Sequence, residues 1–171
     1  LVTFPSGETR PLAPGPSSFI AQGVVEVFAP RFLETPAVLW LSESGNKVVV
    51  RDDRIAASIG LNIEADKNLP DLILADLAPR DPLIVFVEVV ATDGVITPRR
   101  QEAIFDLTDA AGFDRRQIAF VTAYQDRASA GFKKTVTQLA WGSFAWFVSE
   151  PDHIVILRTG SGTCASLAQL V

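Results

Sequence analysis

Two carboxylates stand where apolar side chains are expected. Asp71 lies in Leu69-Pro70-Asp71-Leu72-Ile73-Leu74-Ala75, and Glu88 in Leu83-Ile84-Val85-Phe86-Val87-Glu88-Val89-Val90. An acid within so apolar a strand is costly to bury without a partner. The two segments read as an antiparallel hairpin. With Asp76 opposite Leu83, the register sets Asp71 opposite Glu88, and directly opposed side chains lie roughly 5 Å apart at Cβ. A slip of one residue would separate the faces. Two acids so close repel unless one is protonated or a cation lies between them. Oxygen donors suit a hard cation such as Mg²⁺. The spacing alone is equally met by an edge-strand Asp near a turn and a solvent-facing Glu.

Elements with their own signals must position this pair. Ser17 or Ser18 reads as the cap of a helix running to about Phe28 and ended by Pro30. Ala37–Leu41 and Lys47–Val50 read as strands joined by a turn at Ser42–Asn46. Asp52 or Asp53 caps a short helix that stops at Gly60. After the central hairpin, Thr97 is an N-cap with Pro98 at the first helical position, for a helix reaching about Ala111. Gln117–Tyr124 is a strand, Asp126 caps a helix to about Leu139, and Phe144–Val148 and His153–Leu157 are late strands. The sum is an α/β (α+β) layered domain with a central mixed sheet flanked by helices. Residues 1–16 read as a linker or arm, 17–158 as the folded domain and 159–171 as a loose tail.

Composition bounds the setting. The 171 residues carry a net charge of −5, with 48% hydrophobic and 20% charged residues, so wholesale disorder is excluded. The acidic balance argues against a protein that simply coats nucleic acid. Between residues 50 and 95, nine acids and four bases hold the whole excess, around the proposed metal site. One cysteine, Cys164, allows no intrachain disulfide and is compatible with a cytoplasmic location. No segment reads as a membrane span or signal peptide. The chain has no Met and begins at Leu1, which suggests a processed product or an excised domain of something longer.

The text around the carboxylates carries a resemblance. Pro70-Asp71, a loop and then Glu88 resemble the PD-(D/E)xK nuclease signature. Leu69-Pro70-Asp71, Phe86 through Gly94 (Phe-Val-Glu-Val-Val-Ala-Thr-Asp-Gly), Pro98-Arg99-Arg100 and Phe120 through Arg127 (Phe-Val-Thr-Ala-Tyr-Gln-Asp-Arg) resemble the BsuBI/PstI family of type II restriction endonucleases. Phe28-Ala29-Pro30-Arg31-Phe32 upstream, and Ala145 through His153 downstream, resemble the same family. The resemblance spans roughly residues 5 to 158 and implies a PD-(D/E)xK restriction-endonuclease-like fold. It also implies a C-terminal catalytic domain whose N-terminal partner region is absent here.

That resemblance implies a cleavage chemistry. Asp71 and Glu88 would bind Mg²⁺, with the Val89 carbonyl as a further ligand, to activate water against a phosphodiester of double-stranded DNA. Where the general pattern wants Lys stands Val90, so the basic group must come from elsewhere. Lys47 is the first candidate, with Arg99 and Arg100 as alternatives near a helix N-terminus. Glu26, on the first helix, is a further candidate metal ligand. Relatives act as homodimers, and a cognate DNA methyltransferase is the implied genetic partner. Another nuclease on the same fold, or a DNA-binding or assembly domain with lapsed catalysis, are the rival readings.

Other features carry less. His153 is the sole histidine, and no strand-and-elbow context supports a Ser–His–Asp hydrolase. Cys164 has no zinc-ligand spacing. Arg115 and Arg116 read as salt-bridged helix faces, and Arg127 as a residue near DNA or a dimer surface. Trp40, Trp141 and Trp146 read as core.

Overall fold

The computed structural model describes residues 1–43, 47–64, 69–92, 94–159 and 166–171. The stretch read as an irregular arm contains a small hairpin, β1 (Val2–Thr3) and β2 (Thr9–Arg10). Its Val2 and Phe4 side chains are buried in the core. Helix α1 (Pro16–Gly23) follows, with Gly15 at its N-cap and neither serine capping it. Proline at the first helical position pre-sets the backbone angle, so Ser17 and Ser18 fall inside the first turn.

Pro30 does not end this helix, contrary to expectation. A π turn (Val24–Phe28) intervenes, in which the Ala29 N–H reaches back to the Val24 carbonyl. Helix α2 (Ala29–Phe32) then carries the axis on. The widened turn has already shifted the hydrogen-bonding frame, so the missing proline N–H is tolerated there.

Strands β3 (Pro36–Glu43) and β4 (Lys47–Arg51) pair antiparallel; most of the turn predicted between them, residues 44–46, lies outside the described residues. Asp52 caps α3 (Asp53–Ser58) by accepting from the Ile55 N–H. Strands β5 (Leu72–Asp76) and β6 (Leu83–Val90) form the central antiparallel pair. Thr97 caps α4 (Pro98–Ala110), and β7 (Ile118–Tyr124) runs parallel to β6. Helix α5 (Ala130–Thr135) is capped by Ser129 rather than Asp126, whose carboxylate instead accepts from the Ala128 N–H within the preceding turn. Strands β8 (Phe144–Phe147) and β9 (Ile154–Ile156) complete the sheet. The tail contains a one-turn helix, α6 (Leu167–Leu170). Cys164 lies outside the described residues.

The sheet order is β4-β3-β5-β6-β7-β8-β9, with β6/β7 and β7/β8 parallel and the other pairs antiparallel. Alternation along the central strands sends residues to two faces. Leu72, Leu74, Val85 and Val87 pack under α1 and the π turn with Val24, Val25 and Phe28. Ile73, Ala75, Ile84 and Phe86 pack on the opposite face with Ile104 of α4. A third cluster joins Val90, Tyr124 and Phe147 to Phe132 of α5. Gly131 lets α5 sit down on the chain just past β6, because a Cβ there would lie 2.8 Å from the Ala91 carbonyl oxygen. Trp40 and Trp146 are core, but Trp141 is not: it is 65% exposed.

Asp76, at the far end of β5, shows how a buried acid is satisfied. Its carboxylate accepts from the backbone N–H groups of Glu34, Thr35 and Ala78 at 2.9 to 3.1 Å. Burial alone would raise its pKa, yet these three donors outweigh it and hold the pKa below the usual value. Asp76→Ala strands three donors and is expected to cost about 3 kcal/mol in urea unfolding at pH 7. The wild-type advantage should be present above about pH 4 and fade as pH falls through the lowered pKa.

Candidate active site

The central hairpin builds the site. Leu72 pairs with Val87 and Asp76 with Leu83, and this register carried one step further sets Asp71 opposite Glu88. Asp71 lies just before β5 rather than within it, at a bend. Its backbone is pinned twice: the Trp40 indole N–H donates to the Pro70 carbonyl at 3.1 Å, and the Ser42 N–H to the Asp71 carbonyl at 2.9 Å. Its Oδ2 accepts from the Val89 N–H at 2.8 Å.

Glu88 is buried near the end of β6. From the α4 side, Arg100 Nη2 donates to Glu88 Oε1 at 3.0 Å. Burial pushes the Glu88 pKa up to about 8, with the nearby Asp71 charge adding to the rise and Arg100 opposing it. Burial also raises Asp71, against the lowering effects of the Val89 N–H, its hydrogen bond with Glu88 and the Arg100 charge. Their mutual hydrogen bonding favours the ionised form of Asp71 and the neutral form of Glu88. Without a cation, such a pair shares a proton.

A cavity of about 270 Å³ opens on this pair between the start of α1 and the segment after β6. Ser18, Ser42, Glu43 and Val89 are among its lining residues. Among the described residues, no three of His, Cys, Asp and Glu come together closely enough to hold a metal ion. Two carboxylates beside free cavity volume fit a cation that keeps several of its waters, as Mg²⁺ does.

The expected basic groups separate. Arg100 reaches Glu88, whereas Arg99, on the same first turn of α4, is exposed. Lys47 is exposed on β4, opposite Glu43, and does not line the cavity. Val90 is buried among Val95, Tyr124 and Phe147, where a lysine would be stranded in an apolar cluster. Glu26 is not brought to the pair. Its carboxylate accepts from the Thr3 N–H at 2.8 Å and from Gln22 Nε2 at 3.1 Å, tying the N-terminal hairpin to the helix. Arg115 pairs with Asp109 and Glu102, Arg116 with Asp114, and Arg127 bidentately with Glu150.

Sequence reading passed over Glu43. It ends β3 beside a register shift between Leu41 and Ser42, and it lines the cavity. An acid closing an apolar strand, Ala37 to Leu41, was the available signal.

Comparisons with known proteins agree with this architecture. The chain is 21% identical over 154 residues to the type II restriction enzyme BsuBI of Bacillus subtilis, covering 90% of this chain and 46% of that protein. Its fold matches the structure of SdaI restriction endonuclease with a TM-score of 0.74 and 24% identity, over 88% of this chain and 44% of the other. The chain thus spans about half the length of the relatives it matches. The fold is that of a restriction endonuclease, a mixed sheet flanked by helices, in keeping with the PD-(D/E)xK expectation. The profile of the BsuBI/PstI restriction endonuclease domain matches residues 1–160, and the chain belongs to that family.

Proposed function

We propose that this chain is the cleavage domain of a Mg²⁺-dependent type II restriction endonuclease, hydrolysing phosphodiester bonds of duplex DNA at a specific site. The observation that carries the reading is the Asp71–Glu88 pair, Glu88 buried and Asp71 half-buried, with Arg100 on Glu88 and a cavity open to both, in a chain of this family. Asp71 and Glu88 would hold the cation, with the Val89 carbonyl as a further oxygen. A bound divalent cation supplies Lewis-acid polarisation of the phosphate and an acidified water.

The chain's own groups do the rest. Were both carboxylates to serve as ligands, the proton that burial favours on Glu88 would pass to solvent. The Val89 N–H holds Asp71 in place, and the Arg100 guanidinium holds Glu88 from behind. Arg100 also supplies the positive charge that the Val90 position lacks, for charge developing on the phosphate. Exposed Arg99 and Lys47 are assigned to the DNA backbone outside the site. Homodimeric assembly, a cognate methyltransferase as genetic partner and a cytoplasmic location complete the proposal. No helix among the described residues is long and apolar enough to cross a membrane.

The test is digestion of plasmid DNA by the full-length protein, with Mg²⁺ or EDTA, beside Asp71→Ala. Discrete metal-dependent bands that vanish in the variant are expected. Smears would indicate a nonspecific nuclease, and a folded wild type that binds DNA without cutting would sink the enzymatic reading.

A further inference from the structure

Among the described residues, Glu43 Oε2 is the buried side-chain polar atom left without a hydrogen-bond partner. Such atoms are rare, because burying an acceptor forfeits its hydration. The carboxylate is not free to turn away. Its Oε1 accepts from the Ala13 N–H at 2.6 Å and from Ser18 Oγ at 3.3 Å. The extra residue where β3 pairs with β4 is Val49 of β4, and just past it Glu43 pairs with Lys47 at the end of β3. Glu43 lines the same cavity as Asp71 and Glu88.

Direct ligation by three acids does not fit, since no such group of three assembles among the described residues. A hydrated cation, however, carries waters whose hydrogens need acceptors. We propose that Glu43 is a positioning residue whose Oε2 accepts a hydrogen bond from a water carried by the divalent cation at Asp71 and Glu88. This rests on the metal-site reading above. It also gives the otherwise stranded oxygen its partner, with Oε1 clamped by the segment before α1 and by α1 itself.

Glu43→Gln separates the two halves of that role. The amide oxygen can still accept from Ala13 and Ser18, while Nε2 replaces the free acceptor with a donor. Calorimetric titration of Mg²⁺ into the full-length protein should show about 10-fold weaker binding in Glu43→Gln. Its melting temperature in EDTA should stay at the wild-type value. Should that variant fail to fold, Glu43→Asp, which withdraws the oxygen by one methylene, should weaken Mg²⁺ binding in the same direction. Unchanged Mg²⁺ affinity in a folded variant would overturn the role of Glu43 while leaving the metal site standing. A lowered EDTA melting temperature with unchanged affinity would reduce Glu43 to a structural clamp, also overturning it. Equal Mg²⁺ affinity in wild type and Asp71→Ala would instead overturn the metal-site reading, and this inference with it.

Discussion

Glu88→Gln is expected to abolish cleavage, by about 10³-fold or more, and to make the metal-free protein more stable above neutral pH. The two effects share one cause. Burial and Asp71 raise the Glu88 pKa from 4.5 to about 8 in the folded protein. A raised pKa means that folding favours the protonated form. The stability it contributes is fully present below about pH 4.5 and is lost as pH rises through about 8. Glutamine stays neutral and keeps an acceptor for Arg100, so this decline should vanish, apart from the share due to Asp71. Urea unfolding in EDTA at pH 5, 7 and 9 measures it. A variant as pH-sensitive as the wild type, or less stable at pH 9, would show that Glu88 is not a forced proton carrier. The same linkage predicts the metal's behaviour. Cation binding must expel the shared proton, so affinity should climb with pH up to about 8.

Arg100→Ala is expected to lower the cleavage rate about 10² to 10³-fold at pH 7, with a second signature in the pH profile. Arg100 lowers the Glu88 pKa through its charge and its hydrogen bond. Removing it raises that pKa further, so the ionised, metal-holding pair should form only at higher pH. The acid limb of the pH–rate profile at fixed Mg²⁺ should move to higher pH and activity should partly recover at pH 9. Arg100→Lys keeps a charge without the forked donors, so it should fall between alanine and wild type. A rate unchanged in Arg100→Ala would return the basic role to Lys47 or Arg99.

Much of the positioning was legible because local rules and tertiary packing agree there. Strand alternation, and Asp76 opposite Leu83, were enough to set Asp71 across from Glu88. Thr97 followed by Pro98 marked the start of α4, the helix that delivers Arg100. Elsewhere a local signal met a competing constraint. Pro30 would stop an ordinary α-helix, but a π turn absorbs it, and no residue pattern announced that turn. Asp126 and Ser129 are both good caps, and the chain uses the first for a turn and the second for α5. Which arginine faces Glu88 depends on the rotation of α4 against the sheet, and the paired letters Arg99-Arg100 do not encode it. Glu43 was hidden for a different reason. A single acid at a strand end resembles any surface residue until a neighbouring strand irregularity and α1 enclose it.

The open sheet leaves two rims, and they are guarded unequally. Rim strand β9 is only three residues long, with Ile156 exposed. Rim strand β4 is longer, but arginines occupy its surroundings. Arg10 of the N-terminal hairpin donates to the Val49 carbonyl at 3.0 Å, and Arg51 reaches across to the Ile63 carbonyl at 2.9 Å. Short rims and charged rims both discourage strand-to-strand aggregation. The first ten residues therefore act as a solubility device as well as a core plug. A version trimmed to the start of α1 would lose Val2 and Phe4 from the interior and Arg10 from the β4 rim together, so it should clump before its catalytic groups are ever at issue.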